Sequence, residues 1–247
     1  MFLSVIIPTY NEEKRIGATL ESVDSYLKKQ NYDYEIIVVT NNCQDQTCEV
    51  VRGYQKKIFN LRLIDLENKG GKGKAVKRGV EAAEGDYILF MDADNSTRIR
   101  EFEYFLSYFT ESRVDLNGGY QVVIGSRAIK EAKVIIHQSI WREFFGRAAN
   151  FFVRIILLPE IYDTQCGFKV FTKEAAKKVF AKQKILGWGF DMEILVLARH
   201  FEYKVKEVPI TWYNSPESKV SLLNYFTTFW ELFKIKWNLW RGKYNKN

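Results

Sequence analysis

The chain has 247 residues, of which 47% are hydrophobic, so it is long enough for one large α/β domain or two small ones. Its three cysteines have no metal-ligand spacing and leave an odd count, which argues against a disulfide framework or a zinc site and favours a reducing compartment. A net charge of +7 with 15% aromatic residues predicts an acidic partner with an apolar side, and nucleic acid and an anionic lipid surface both fit. No run approaches the roughly 20 apolar residues of a membrane span and no signal peptide is visible, so we expect a cytoplasmic protein.

The first half alternates short β-branched runs with helical patterns. Strands are predicted at residues 3–8, 35–40, 61–66 and 86–91, and helices at 12–29, 45–57 and 72–84. Strands that alternate with helices predict right-handed crossovers and a mostly parallel sheet with helices on both faces. Ligands of such sheets lie beyond the carboxyl ends of the strands, where Pro8, Thr40 and Asp92 are expected.

The second half has a looser pattern. Helices are predicted at 99–109, 137–158, 173–180 and 190–199, and strands or short extended elements at 121–125, 167–171 and 204–208. No internal repeat and no low-complexity linker divides the chain. We expect one catalytic domain at residues 1–215 and a C-terminal helical appendage at 216–247.

Two aspartates, Asp92 and Asp94, directly follow the fourth predicted strand. Side chains two residues apart in an extended segment point the same way, so the two carboxylates converge. Mg²⁺ is usually held by one or two protein carboxylates, with water and substrate phosphates in its other positions. The pair therefore predicts a metal site for a phosphorylated substrate. The alternative is an Asp-rich turn that caps the next helix.

A glycine- and lysine-rich loop at residues 68–74 lies between the third strand and the next helix. Its free backbone amides and the side chains of Lys72 and Lys74 are expected at the same edge of the sheet as Asp92, where they can contact phosphate. The loop lacks the Walker ending and the Gly-x-Gly-x-x-Gly spacing, which argues against an ATPase and a dinucleotide-binding fold. The alternative is a solvated turn.

Four motifs, in this order, resemble those of family-2 glycosyltransferases with the GT-A fold, in which helices flank a Rossmann-like, mostly parallel sheet. They are Val5–Glu12, Asn68–Ala75, Met91–Asp94 and Asp163–Lys169. Within that family the chain is most similar to the polyprenyl-phosphate branch. Segments 163–169, 208–212 and 218–220 resemble the dolichyl-phosphate glucosyltransferases in particular.

The resemblance implies a role for each motif. The nucleotide-sugar donor is expected to contact Pro8, Tyr10, Glu12, Asn41, Lys72, Lys74, Asp92 and Lys219. Asp92 and Asp94 are expected to hold Mg²⁺ or Mn²⁺ on the donor diphosphate, where the cation neutralises charge on the departing nucleoside diphosphate. Arg127 and Arg142 match family arginines that hold the acceptor phosphate, which suits the planar guanidinium.

Asp94, Arg127 and Asp191 are the predicted catalytic residues. Asp191 and Glu193 lie where relatives with hydroxyl acceptors keep a general base, although Glu193 also fits a carboxylate on a helix surface. A phosphate monoester has a second pKa of about 6 and is largely ionised at neutral pH, so it can attack without a base. With a lipid phosphate as acceptor, Asp191 is expected to orient the sugar or an arginine.

The segment after the second strand departs from the family pattern. Relatives usually carry Val-Val-Asp-Asp-Gly-Ser, with an aspartate that reads the nucleobase, and this chain has Val38–Cys43, with asparagine at Asn41. Asparagine can both donate and accept hydrogen bonds, whereas aspartate only accepts them. The resemblance therefore favours uracil but leaves the nucleobase open.

Aromatic side chains recur at helical spacing between Asn224 and Trp240, beside Lys234, Lys236 and Arg241. This pattern is typical of a helix that lies in a lipid interface, and residues 140–158 are a candidate second contact. The alternative is that the aromatic face packs onto the catalytic domain, as amphipathic helices usually do.

The leading hypothesis is a metal-dependent, inverting transferase that moves a hexose, with UDP-glucose the favoured donor, to a polyprenyl or dolichyl phosphate at the cytoplasmic face of a membrane. Two enzyme alternatives stay open: GDP-mannose or another sugar nucleotide as donor, and a sugar or protein hydroxyl as acceptor with Asp191 as base. A nucleic-acid-binding module is prompted by charge alone, and no recognition motif supports it.

Overall fold

The structure is a computed structural model that describes residues 1–68, 70–110, 119–136, 146, 150–214 and 222–245. Its strands are β1 (Phe2–Thr9), β2 (Asp33–Asn41), β3 (Leu61–Leu66), β4 (Tyr87–Met91), β5 (Val122–Ser126), β6 (Lys133–Ile136), β7 (Phe168–Thr172), β8 (Val205–Pro209) and β9 (Thr211–Tyr213). Its helices are α1 (Ile16–Leu27), α2 (Thr47–Gln55), α3 (Lys72–Ala82), α4 (Phe102–Thr110), α5 (Lys173–Lys182), α6 (Phe190–His200) and α7 (Leu222–Trp240). Residues 150–156 are also helical.

Seven strands form one sheet in the order β3-β2-β1-β4-β7-β5-β8. The first four strands of that order are parallel to one another, because α1, α2 and α3 carry the chain back between them. Strand β7 is antiparallel to both of its neighbours, and β8 is parallel to β5. This mostly parallel sheet flanked by helices confirms the predicted fold class.

The sheet separates two hydrophobic clusters. Alternate residues of β1 face opposite sides, so that Val5 and Ile7 pack in the cluster that contains Leu20 of α1, while Ile6 packs in the cluster that contains Val76 of α3. Both faces of the central strands are therefore covered, which explains their continuously apolar sequences.

Two features of the fold differ from the expectations. A turn at residues 13–15 delays the start of α1 to Ile16, and Asn11 takes the left-handed conformation with a φ of 55°. Strands β6 and β9 form a separate two-stranded parallel sheet that the sequence did not indicate. Both strands are short and lie far apart in the chain, so their pairing leaves no local pattern. Most of the helix predicted at 137–158 lies outside the described residues.

Helix α7 has a buried face and an exposed face. Leu232 and Ile235, with Tyr244 beyond the helix end, are buried in the same cluster as α3, α5 and α6. The opposite face exposes the side chains of Phe229, Trp230, Phe233, Trp237 and Trp240. The helix thus packs onto the domain that contains the seven-stranded sheet and still presents aromatic side chains. The predicted domain boundary at 215/216 lies outside the described residues, and no helix within them is long and apolar enough to cross a membrane.

Candidate active site

Asp92 and Asp94 lie just beyond the carboxyl end of β4, at the ligand edge of the sheet. The backbone N–H of Ser96 donates to Asp94 Oδ1 at 3.0 Å. Burial, and after it the negative charge of Asp92, raises the pKa of Asp94 above its usual value. The charge of Asp92 thus disfavours ionisation of Asp94, and a cation bound between the two carboxylates would offset that effect.

Gly167 leaves room for the carboxylate of Asp92. The backbone N–H of Asp92 donates to the carbonyl of Gly167 at 3.1 Å, just before β7 begins. A Cβ atom on Gly167 would lie 1.9 Å from Asp92 Oδ2, a distance that no side chain tolerates. The glycine of the Asp163–Lys169 motif is therefore needed for the position of Asp92.

Lys72, the first residue of α3, brings a positive charge to the same carboxylate. Its Nζ lies 2.6 Å from Asp92 Oδ1 and 5.7 Å from the centre of the Trp188 ring. Burial alone would lower the pKa of Lys72, but the carboxylates of Asp92 and Asp191 outweigh it, so the pKa is raised. Lys72 therefore stays charged at the edge of the sheet, where the sequence placed it.

The rest of the glycine loop is more occupied than we expected. The N–H of Gly70 donates to Asn41 Oδ1 at 3.0 Å, and the N–H of Lys74 donates to the carbonyl of Leu186 at 3.2 Å. The Nζ of Lys74 donates to the carbonyl of Asn68 at 3.2 Å. The expectation of free amides was thus wrong for Gly70 and Lys74. Their backbone N–H groups donate hydrogen bonds to acceptors in β2 and in residues 183–189.

The residues predicted to line the nucleobase pocket follow β1. Pro8 is buried within β1, while Tyr10 is exposed. The carboxylate of Glu12 pairs with Arg15 at 2.6 Å, and the backbone N–H of Glu12 donates to Thr47 Oγ1 at 2.7 Å. A hollow of about 160 Å³ beside them is lined by Asn11, Glu12, Glu13, Lys14, Arg15 and Asp45.

The segment that departs from the family sequence contains a residue in the left-handed conformation. Asn42 has a φ of 56° and stands where relatives usually carry glycine, a conformation that asparagine tolerates better than most residues. Thr40 donates through Oγ1 to Asp65 at 2.7 Å, and Asn41 is buried. The residue types of this chain therefore alter the polar groups available here, and Asn42 adopts a conformation that glycine also takes readily.

Arg127, which follows β5, is held by Asp163. Its Nε and Nη2 atoms donate to the two carboxylate oxygens at 2.8 and 2.9 Å, and its backbone N–H donates to Asp163 Oδ2 at 2.9 Å. Burial would raise the pKa of Asp163, but the guanidinium lowers it below the usual value. The Cζ atom of the guanidinium also lies 5.4 Å from the centre of the Trp212 ring. A role of Arg127 in binding the acceptor phosphate stays a prediction, with Asp163 fixing its orientation.

Asp191 forms a buried ion pair with Lys169, whose Nζ also donates to the carbonyl of Cys166 at 2.6 Å. Burial raises the pKa of Asp191, and Lys169 opposes that shift. Because the carboxylate is buried and paired, this geometry favours a positioning role over removal of a proton from a hydroxyl. Glu193 is fully buried, not on a helix surface, and accepts the backbone N–H of Ile185 at 2.7 Å.

The pairs Arg127–Asp163 and Lys169–Asp191 were missed by sequence reasoning. One signal was present, since Lys169 interrupts the apolar run of β7 and a lysine inside a buried strand needs a partner. Arg142 and Lys219, predicted to contact the acceptor phosphate and the donor, lie outside the described residues.

The fold and the site are those of a GT-A-type glycosyltransferase, with a carboxylate pair, a lysine and an arginine at the ligand edge of a mostly parallel sheet. The model of the family "Glycosyl transferase family 2" matches residues 4–180, and the chain belongs to this family.

Named relatives agree with that assignment, and a solved structure has a similar fold. A dolichyl-phosphate beta-glucosyltransferase of Trichomonas vaginalis is 33% identical over 97% of this chain and 76% of that protein. The dolichyl-phosphate beta-glucosyltransferase of Homo sapiens is 34% identical over 88% of this chain and 69% of that protein. Glucosyl-3-phosphoglycerate synthase from Mycobacterium tuberculosis, crystallised with Mn²⁺, UDP and glucosyl-3-phosphoglycerate, is similar in fold, with a TM-score of 0.60 and 20% identity over 93% of this chain and 79% of that one.

Proposed function

We propose that the protein transfers glucose from UDP-glucose to dolichyl or another polyprenyl phosphate, with inversion at the sugar carbon, on the cytoplasmic face of a membrane. The observation that carries the proposal is the Lys72–Asp92 pair beside Asp94 at the end of β4, because a lysine suits the donor diphosphate and the two carboxylates suit a cation bound to it. Two relatives are named dolichyl-phosphate beta-glucosyltransferases, which supports glucose as the transferred sugar and a lipid phosphate as the acceptor.

The donor set fits Mg²⁺ or Mn²⁺. Within the described part of the chain, no group of three or more His, Cys, Asp and Glu side chains could hold a metal ion on its own. Two carboxylates, Asp92 and Asp94, suit a cation whose other positions are filled by diphosphate oxygens and water. A bound cation would neutralise charge on the leaving diphosphate. Lys72 adds a fixed positive charge at the same place.

The acceptor phosphate needs no general base. It is largely ionised at neutral pH, so its oxygen can attack the sugar carbon while the bond from that carbon to the UDP oxygen breaks and UDP departs. A single displacement of this kind inverts the configuration. Arg127, aligned by Asp163, is available to hold the phosphate. The buried carboxylate of Asp191 helps to raise the pKa of Lys72 and so favours its charged form.

An exposed aromatic surface is consistent with a lipid acceptor. It comprises Phe151, Phe152, Ile155, Phe229, Trp230, Phe233, Trp237 and Trp240, all exposed. The rings of Phe152 and Phe229 lie 5.6 Å apart, so residues 150–156 and α7 contribute to one continuous surface. Lys234, Lys236 and Arg241 on and beside α7 favour anionic headgroups. We propose that this aromatic surface rests on the membrane that holds the acceptor.

The test is to incubate the purified full chain with labelled UDP-glucose, Mg²⁺ and either dolichyl or undecaprenyl phosphate, and to measure label in the lipid phase. We expect lipid-linked glucose that requires both the cation and the lipid phosphate. Product from GDP-mannose in place of UDP-glucose would correct the donor. A lack of lipid-linked sugar with every common sugar nucleotide would overturn the proposal.

The dependence of rate on pH separates this function from transfer to a hydroxyl. With a phosphate acceptor, the rate should rise with pH as the phosphate loses its second proton at about pH 6. A base-driven reaction would instead follow a protein carboxylate, and a rate that Asp191→Asn removes while substrate binding survives would favour that alternative.

A further inference from the structure

Helix α7 contacts a loop on the donor side of the sheet through one carboxylate. Glu231 Oε2 accepts the backbone N–H of Gly189 at 2.7 Å. A Cβ atom on Gly187 would lie 2.5 Å from Glu231 Oε1, and one on Gly189 would lie 2.7 Å from Oε2. The two glycines on either side of Trp188 thus form a cradle that fits this carboxylate closely.

The same loop also touches the start of α3. The carbonyl of Leu186 accepts the N–H of Lys74 at 3.2 Å. Gly71 has a φ of +83°, and a Cβ atom there would lie 2.5 Å from the carbonyl oxygen of Leu186. The Trp188 ring lies 5.7 Å from Lys72 Nζ. Residues 186–189 therefore connect Glu231 on α7 with the lysine that pairs with Asp92.

Other contacts hold α7 in place without Glu231. Leu232 and Ile235 are fully buried against the domain. Tyr244 is buried as well, where its hydroxyl donates to Glu193 and accepts from Asn238 Nδ2 at 3.1 Å. None of these contacts involves the carboxylate of Glu231, whose pKa burial raises above its usual value. Glu231 is also the one acidic residue of α7.

We propose that Glu231 is a positioning residue of the donor site. It fixes the position of Gly187–Gly189. Through Trp188 and Leu186 it also fixes the start of α3 and the position of the Lys72 ammonium group. Helix α7 then serves two purposes, since it carries the aromatic surface on one side and supports donor binding on the other. The inference rests on the proposed function, because it takes the ligand of Lys72 to be the diphosphate of a nucleotide sugar.

The test measures donor affinity of the full chain without lipid, by calorimetric titration of UDP-glucose in the presence of Mn²⁺. We expect Glu231→Ala to weaken binding about tenfold, as loss of a hydrogen bond to a charged group does. Glu231→Gln should bind within about threefold of the wild type, because its amide oxygen accepts the same N–H. Gly187→Ala, which crowds the carboxylate from the loop side, should weaken binding as Glu231→Ala does.

Tyr244→Phe is the matched control, because it removes another polar tie of the C-terminal segment. It should lower the melting temperature without changing donor affinity. Equal losses of affinity in Tyr244→Phe and Glu231→Ala would mean a general loosening of α7 and would overturn the proposal. Unchanged affinity in Glu231→Ala and Gly187→Ala, with a wild type that binds UDP-glucose, would overturn the role of Glu231 alone. A wild type that binds no UDP-glucose would overturn the proposed donor as well.

Discussion

Gly167 and Asp92 form a pair in which the absence of one side chain makes room for the other. The Asp92 carboxylate lies 1.9 Å from the position that a Cβ atom of residue 167 would take. Two motifs that are far apart in the chain, Met91–Asp94 and Asp163–Lys169, therefore depend on each other sterically. The dependence arises because β4 and β7 are adjacent antiparallel strands.

Gly167→Ala should keep the fold and lose at least about 100-fold in turnover, because a displacement of about 1 Å at a reacting group has that effect. Mn²⁺ binding measured by electron paramagnetic resonance should weaken in parallel, since Asp92 has to move. Gly53→Ala is the control, because a Cβ atom there meets nothing within 4 Å and the site is remote. Turnover of Gly167→Ala close to the wild type would contradict the steric account.

Asp94→Asn should lose nearly all turnover, by about 1,000-fold or more, because in the proposed function Asp94 is a cation ligand and the cation neutralises the leaving group. Its stability should be unchanged or higher, because burial already disfavours the ionised form of Asp94, as its raised pKa indicates. Assay of lipid-linked glucose and thermal melting measure the two effects. Full activity of the variant would refute the role of Asp94, whereas a large loss of stability would indicate a structural one.

Lys169→Met should destabilise the protein by about 3 to 5 kcal/mol, because it leaves Asp191 buried without its cation. Adding Asp191→Asn to Lys169→Met should recover part of that loss, since the second change removes the unpaired charge. Urea unfolding of the wild type, both single variants and the double variant gives the coupling free energy. Strictly additive effects would mean that the two side chains do not interact.

Much of the sheet and of the edge that carries Asp92 could be predicted from the sequence. The continuously apolar sequences of β1, β2 and β4 predict a parallel sheet. The residues that follow parallel strands lie at one edge of the sheet. Asp92 and Lys72 were therefore expected at that edge, where they form an ion pair. In each of these cases a local pattern and one general rule of topology suffice.

The partners of the charged groups could not be predicted in the same way. Arg127 was interpreted from its motif as a phosphate ligand, yet its guanidinium is held by Asp163, and Asp191 is neutralised by Lys169. Each pair joins segments that are distant in the chain and meet only when β5, β7 and α6 pack. The contact between Glu231 and Gly189 is of the same kind.

The Arg127–Asp163 pair predicts a specific dependence of stability on pH. The folded-state pKa of Asp163 is lowered, so the pair stabilises the protein above the unfolded pKa of about 3.9, and this contribution is lost as the pH falls through the folded value. Asp163→Asn should therefore be much less stable than the wild type at pH 7, and the difference should shrink below about pH 4. Urea unfolding across this range measures it. A difference that does not vary with pH would contradict the ion pair.

The aromatic surface predicts binding to vesicles of anionic lipid. Trp230 and Trp240 are 73% and 74% exposed, so Trp230→Glu with Trp240→Glu should weaken co-sedimentation with phosphatidylserine-containing vesicles about tenfold or more, since two indoles can no longer be buried. Added salt should weaken wild-type binding, because Lys234, Lys236 and Arg241 attract the headgroups. Phe59→Glu is the control, because Phe59 is 99% exposed and lies outside the aromatic surface. An equal loss in Phe59→Glu, or unchanged binding in the double variant, would refute this surface as the membrane contact.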